Sequence, residues 1–191
     1  MRTRLLPLSI AILLAATPAL AAPKKFENDG NHTHLGFKAS TTLFDVAGWF
    51  DKYNLLIEGD PAAPTSVRVK LEIDAKSINT NNKTRDNHLR SADFFDAKKY
   101  PKITFVSSTA TREGNRIVLD GTLELRGVKK PFKIPFSHVV AKNGAGNEEH
   151  VFKADLTLNR KDFGLGADSV AAKISLADEI QVKLLVAGFF E

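Results

Sequence analysis

The 191-residue chain has no cysteine, which excludes disulfide bonds and thiol chemistry. It also lacks an apolar run of the roughly 20 residues that a membrane-spanning helix requires. Neither a glycine-rich phosphate loop nor the Gly-x-Ser-x-Gly pattern of a serine nucleophile is present. Without the signal peptide predicted below, the net charge is +3, which is too small to indicate a nucleic-acid partner. The sequence therefore gives no direct support for catalysis, a cofactor or a metal.

The first 21 residues have the features of a secretory signal peptide. Arg2 and Arg4 precede a short apolar stretch over residues 5–16, and Ala19-Leu20-Ala21 supplies the small residues of a cleavage site. Cleavage after Ala21 removes both arginines and lowers the net charge from +5 to +3. The sequence thus predicts a signal peptide over 1–21 and one exported domain over 22–191.

Alternation of apolar and polar residues predicts an all-β domain. Between Ser66 and Asp74 every second residue is apolar, which is the period of a half-buried strand. Further strands are predicted at 35–39, 46–50, 53–57, 103–107, 117–125, 132–136, 152–158 and 180–186. About eight antiparallel strands at this spacing favour a sandwich or a closed barrel. Gly121 takes an inward position in its strand and predicts a bend or bulge there.

One polar segment, Lys76 to Lys102, interrupts the strand pattern. Ser91 is a residue type that caps helices, and we expect a short helical crossing segment over about 84–98. Seven basic and three acidic residues give the segment a net charge of +4. Such a charge is typical of a solvated face, or of a surface that attracts an anionic head group or membrane.

The same segment contains the best candidates for a metal or acid–base site, which are Asp86, His88, Asp93 and Asp96. Their spacing matches no short zinc pattern, and the neighbouring arginines would repel a cation. A hydrogen-bonded structural role is therefore favoured.

The other histidines offer no constellation in the sequence. His32 and His34 would lie on opposite faces of a strand, and His138 and His150 stand isolated near predicted loops. None of these four is predicted to have a functional role.

Phenylalanine occurs 13 times. Five of these residues lie on the apolar faces of predicted strands, namely Phe37, Phe50, Phe105, Phe132 and Phe136. Such residues fit either a packed barrel core or the wall of a cavity that holds a small apolar ligand. Trp49 alternates with Phe50 and is expected to point outward.

Several blocks of the sequence resemble the signature of the YceI-like family. The first runs from His88 to Asp96 and continues at Tyr100–Phe105, the second runs from Gly121 to Pro131, and the third from Asn159 to Gly164. Together they follow the order of the family along nearly the whole exported chain. One departure is Thr41, which lies where the family often has a histidine.

The resemblance implies a lipocalin-like antiparallel β-barrel whose interior binds a polyisoprenoid lipid, such as an isoprenoid quinone or a prenyl phosphate. With a signal peptide, it implies a periplasmic protein that sequesters or transports that lipid. The five phenylalanines would line the pocket, and Arg85 and Arg90 would lie at its polar end or brace the crossing segment. Contact with an anionic membrane surface is a further expectation.

Two other functions stay open. One is an interaction module that docks through its basic face, and the other is an enzyme that acts on a prenylated substrate through Asp86 and His88. The sequence favours a binding protein over an enzyme, and it leaves the cargo and the oligomeric state open.

Overall fold

A computed structural model describes residues 23–60 and 62–191, and the predicted signal peptide lies outside these residues. The strands are β1 Lys24–Asn28, β2 His34–Thr41, β3 Asp45–Phe50, β4 Tyr53–Asp60, β5 Ala63–Asp74, β6 Ile78–Asn79, β7 Lys102–Glu113, β8 Arg116–Leu125, β9 Val128–Lys142, β10 Glu148–Asn159 and β11 Leu176–Phe190. The α-helices are α1 Lys83–Arg90 and α2 Val170–Ser175. Within the described ranges, no helix is long and apolar enough to cross a membrane.

Eight of the strands form a closed antiparallel barrel. They follow the order β1-β4-β5-β7-β8-β9-β10-β11, and β11 pairs back onto β1, with Phe26 opposite Phe190. This arrangement confirms the predicted all-β barrel. The alternation pattern did not identify β1, because Lys24–Asn28 contains a single apolar residue, Phe26.

Strand β11 has different partners along its two halves. Its first part pairs with β2, where Leu184 lies opposite Leu35, and its last residues pair with β1, where Gly188 lies opposite Asn28. Strands β3 and β6 continue the sheet beyond β2. We call the end of the barrel where β2, β3 and β6 lie the upper end, and the end where β1 completes the ring the lower end.

The crossing segment covers the upper end and contains α1. The Asn82 side chain accepts a hydrogen bond from the Arg85 backbone N–H at 3.0 Å and begins the helix. The Ser91 backbone N–H donates to the His88 carbonyl at 3.1 Å and ends the helix. The prediction of a helical segment was right in place but too long. The prediction that Ser91 caps a helical turn after it was wrong, because Ser91 is the C-cap of α1 and its hydroxyl donates to the His88 carbonyl at 2.7 Å.

Gly121 makes room for an aromatic ring of the barrel interior. It lies opposite Ser107, where the pairing of β7 and β8 shifts by one residue, as the predicted bulge requires. A Cβ atom at position 121 would lie 2.7 Å from Cζ of Phe105, and it would also collide with the Val106 carbonyl oxygen. The Phe105 ring thus occupies the space that a side chain at position 121 would fill.

We expect Gly121→Ala to destabilise the protein by about 1–3 kcal/mol, because the added methyl group overpacks the Phe105 ring and the backbone of β7. Urea unfolding would measure the loss. The matched control is Gly144→Ala, since a Cβ atom there has no neighbour within 4 Å. Equal stability of the two variants would contradict the packing role of Gly121.

Candidate ligand-binding cavity

An apolar cavity occupies the upper half of the barrel. The cavity has a volume of about 180 Å³, and 24 residues line it. Arg160 is the one charged residue among these described wall residues, and the others are apolar residues or Gly36. An interior with this lining favours an apolar ligand and offers little to a polar one.

The barrel interior also contains a smaller lower chamber of about 70 Å³. A ring of side chains, which we call the waist, lines both chambers and consists of Leu35, Leu71, Phe105, Ile134 and Leu184. Because the waist side chains belong to five different strands, they narrow the interior from all sides.

The structure separates the five phenylalanines that the sequence grouped together. Phe37, Phe50 and Phe132 line the upper chamber, and Phe105 belongs to the waist. Phe136 lies in the lower chamber, where its ring packs edge-on against Phe152 with centroids 5.5 Å apart. Their role in ligand binding stays a prediction.

Three elements contribute half-buried residues to the wall of the upper chamber, namely Ala39 of β2, Leu89 of α1 and Leu176 of β11. We call this part of the wall the mouth, because its residues are accessible from outside. Phe95 also reaches the wall from the loop after α1 and packs edge-on against Phe50, with centroids 5.8 Å apart. Sequence reasoning assigned no site role to Leu89 or Phe95, because strand periodicity does not reach this polar segment.

Arg85 and Arg90 brace the crossing segment. Arg85 donates to the hydroxyl and carbonyl oxygens of Thr80, each at 2.8 Å. Arg90 donates to the carbonyl oxygens of Lys76 and Ile78, each at 2.7 Å. Neither arginine lies among the described wall residues of the two chambers. Their contact with a lipid head group stays a prediction.

Asp86 and His88 do not share a site. The buried Asp86 carboxylate accepts hydrogen bonds from the backbone N–H and the hydroxyl of Thr80, at 2.9 and 2.6 Å. The His88 ring instead pairs with Asp93 at 3.0 Å. These contacts agree with the structural interpretation of the cluster and give no support to a joint acid–base role.

Arg160 is a buried cation that sequence reasoning left without a role, although it lies in one of the family-like blocks. Its guanidinium group donates to the carbonyl oxygens of Leu165, Ala172, Leu176 and Ala177, at 2.9 to 3.1 Å. Asp178 supplies a carboxylate oxygen at 3.1 Å. The side chain thus ties α2 and the start of β11 to the upper wall. Because these acceptors are backbone carbonyl groups that only the folded chain brings together, no sequence motif identifies them.

We expect Arg160→Gln to destabilise the protein by about 3 kcal/mol, because it leaves buried carbonyl groups without donors. Amide hydrogen exchange should increase in α2 and at the start of β11. The matched control is Lys161→Gln, which removes an exposed ion pair to the same Asp178 carboxylate. Its effect should stay below about 1 kcal/mol, and equal losses in both variants would contradict the bracing role.

His138 and His150 form a pair, which corrects the expectation that they are isolated. Nε2 of His138 lies 2.9 Å from Nδ1 of His150, and the two rings stack with centroids 5.2 Å apart. His138 also stacks on Phe152 at the lower end, with centroids 4.6 Å apart. Burial lowers the pKa of both histidines, and the neighbouring His150 lowers the pKa of His138 further. The pairing of β9 with β10 creates this contact across 12 positions of sequence.

The histidine pair should make the protein less stable in mild acid. An unfolded histidine has a pKa of about 6.5, so the unfolded state takes up these protons first as the pH falls. Stability is therefore full above about pH 6.5 and decreases below it, by at most about 1.4 kcal/mol per pH unit for each proton. Urea unfolding at pH 7.5 and 5.5 would measure this slope.

The double variant His138→Gln/His150→Gln should show a smaller loss of stability between these pH values. His32→Gln is the control, because the hydrogen bond with Asp29 raises the pKa of His32 and gives its small contribution the opposite sign. An unchanged pH slope in the double variant would exclude the pair as its source.

A closed antiparallel barrel of eight strands with an apolar cavity inside is a lipocalin-like architecture, and such barrels can hold one small ligand. A family model of the YceI-like domain matches residues 26–187. The chain therefore belongs to the YceI-like family.

The chain is also similar to particular relatives. A UPF0312 protein of Pectobacterium carotovorum subsp. carotovorum is 30% identical over 182 residues, which cover 94% of this chain and 93% of the relative. The crystal structure of Burkholderia cenocepacia BcnA matches with a TM-score of 0.75 and 27% identity, and covers 85% of this chain and 100% of that one. A polyisoprenoid binding domain from Saccharophagus degradans, implicated in plant cell wall breakdown, shares the fold with a TM-score of 0.63 and 16% identity, over 90% of this chain and 100% of that one.

Proposed function

We propose that this protein binds a polyisoprenoid lipid, of the isoprenoid-quinone or prenyl-phosphate type, in the upper chamber of its barrel. The observation that carries the proposal is the apolar wall. Arg160 is the one charged residue among the described wall residues, and its guanidinium group donates its hydrogen bonds to backbone carbonyl groups of the protein. The protein would sequester the lipid or transport it across an aqueous compartment.

The tail would supply most of the binding free energy. Burial of a CH₂ group contributes roughly 0.8 kcal/mol, so a five-carbon isoprene unit contributes up to about 4 kcal/mol before the cost of ordering the chain. The tail would enter through the mouth and extend toward the waist. Its methyl branches would pack against the leucines and phenylalanines of the wall.

The head group would stay at the mouth, because the described wall residues offer no free polar side chain to a carbonyl or phosphate group. A tail-dominated site of this kind should accept several head groups. Arg85 and Arg90 lie on the crossing segment, which also contributes Leu89 to the mouth, and their positive charges would favour an anionic head group.

Two further observations support the cargo and the location. The chain shares its fold with the Saccharophagus degradans domain, which is described as polyisoprenoid-binding. The predicted signal peptide would direct the protein to the periplasm, where a water-soluble carrier can move lipid between two membranes. Transient contact with an anionic membrane surface is part of this proposal.

A variant that fills the chamber tests the proposal. Ala39 lies on the wall near the mouth, and Ala39→Trp would place an indole ring in the space assigned to the tail. Ala47→Trp is the matched control, since Ala47 is exposed on the neighbouring strand β3. Each protein would be purified from a bacterial periplasm without detergent, and its lipid would be extracted and identified by mass spectrometry.

We expect near-equal molar amounts of a prenyl lipid in the wild type and in Ala47→Trp, and a loss of most of it in Ala39→Trp. Thermal unfolding would establish that both variants fold. A folded wild-type protein without extractable prenyl lipid would contradict the proposed function. Full occupancy of folded Ala39→Trp would contradict the choice of chamber.

A further inference from the structure

We propose that four exposed apolar residues beside the mouth dock this protein on a bilayer that contains anionic phospholipid. The residues are Leu43, Phe44, Val170 and Ile174, which we call the apolar rim. This inference rests on the proposed function, because a membrane contact at this place gives the cavity access to its cargo.

The apolar rim is unusually exposed. Leu43 and Phe44, in the turn between β2 and β3, are 86% and 59% exposed. Val170 and Ile174, one helical turn apart on α2, are 70% and 78% exposed. Single exposed apolar residues are common, but a group of large ones at one place marks an interaction surface.

The two parts of the rim adjoin each other. The Thr42 backbone N–H donates to the Ser175 carbonyl at 3.0 Å, which joins the β2–β3 turn to the end of α2. In the adjacent strands, Thr41 lies opposite Leu176. Leu43 and Phe44 directly follow Thr42, and Ile174 directly precedes Ser175, so the apolar side chains flank a single junction.

The junction lies at the mouth of the cavity. Leu176, the first residue after α2, lines the upper chamber, and so does Ala39, two residues before Thr41. A lipid that leaves the chamber along this edge would therefore meet the rim first. Because a polyisoprenoid tail has negligible solubility in water, a mouth that opens directly into a bilayer removes the largest barrier to transfer.

Electrostatics favours an anionic surface as the partner. Charges of both signs lie close to the rim, since Lys38 pairs with Asp45 at 2.9 Å and Lys173 of α2 follows Asp168 in the loop before that helix. The crossing segment, which contributes Leu89 to the mouth, has a net charge of +4 over residues 76–102, with basic residues Lys76, Lys83, Arg85, Arg90, Lys98, Lys99 and Lys102 and acidic residues Asp86, Asp93 and Asp96. Apolar side chains beside basic ones are the combination that binds anionic bilayer interfaces.

Flotation with vesicles of phosphatidylcholine containing 30% phosphatidylglycerol tests the inference, and the partition coefficient is the readout. The rim variant replaces Leu43, Phe44, Val170 and Ile174 with serine. The matched control is Val139→Ser/Val140→Ser, which alters two apolar residues of β9 that are 51% and 46% exposed at the lower end. Analytical ultracentrifugation and lipid extraction would be carried out on the same proteins.

We expect the rim variant to lose about tenfold or more in partition coefficient and the control less than about twofold, because each inserted side chain contributes apolar burial. Binding of the wild type should also weaken as salt is added. Vesicle binding that is unchanged in the rim variant, or equally reduced in the control, would overturn the inference. A wild-type dimer that the rim variant dissociates would assign the surface to a second copy instead.

Lipid extraction separates this inference from the proposed function. The rim variant keeps every cavity residue, so it should retain its prenyl lipid while it loses vesicle binding. An empty wild-type protein that still binds vesicles through the rim would refute the cargo and leave the docking surface standing.

Discussion

Strand β11 pairs with β2 along its first part and with β1 at its last residues, and the arrangement of the barrel interior depends on this change of partner. Gly188 lies in its last part, next to β1, where a Cβ atom would collide with the backbone of Glu27 and lie 2.7 Å from the Phe26 ring. The close approach of β1 completes a ring of eight strands, whose interior is just wide enough for side chains or one small ligand. Above this point β2 pairs with β11 in place of β1 and is followed by β3 and β6, and the larger of the two chambers lies at this end.

The two ends of the barrel therefore have different physical roles. At the lower end Phe26 and Phe136 pack edge-on against Phe152, and His138 of the histidine pair stacks on Phe152. At the upper end apolar atoms face a cavity and forgo part of their dispersion contacts. A bound tail would restore those contacts and stabilise the folded state by mass action. Arg160 donates to the backbone carbonyl groups of Leu165 and Ala172, so its guanidinium group is not available to a polar ligand in the chamber.

The sequence predicted the elements whose burial follows a regular period. Residues 66–74 and 117–125 alternate clearly, and both belong to long strands of the barrel. The sequence could not show that Phe132 and Phe136 line different chambers, because the two residues share one face of β9 and differ only in their height in the barrel. The sequence did not predict the contact of His138 with His150, because the pairing register of β9 and β10 creates it. It also did not predict the acceptors of Arg160, because the chain has to fold back between residues 165 and 177 to bring them to the guanidinium group. The helix α2 escaped notice because its six residues follow an irregular loop and show no strand period.

The central claim is that the upper chamber holds the tail of a polyisoprenoid. The most direct test is a crystal structure of the protein isolated from a bacterial periplasm without detergent. The account predicts continuous electron density that runs from the mouth, past Phe37 and Phe132, to the waist at Phe105, with the head group outside the wall. A chamber filled by rearranged side chains, or lipid density found only on the outer surface of the barrel, would contradict it.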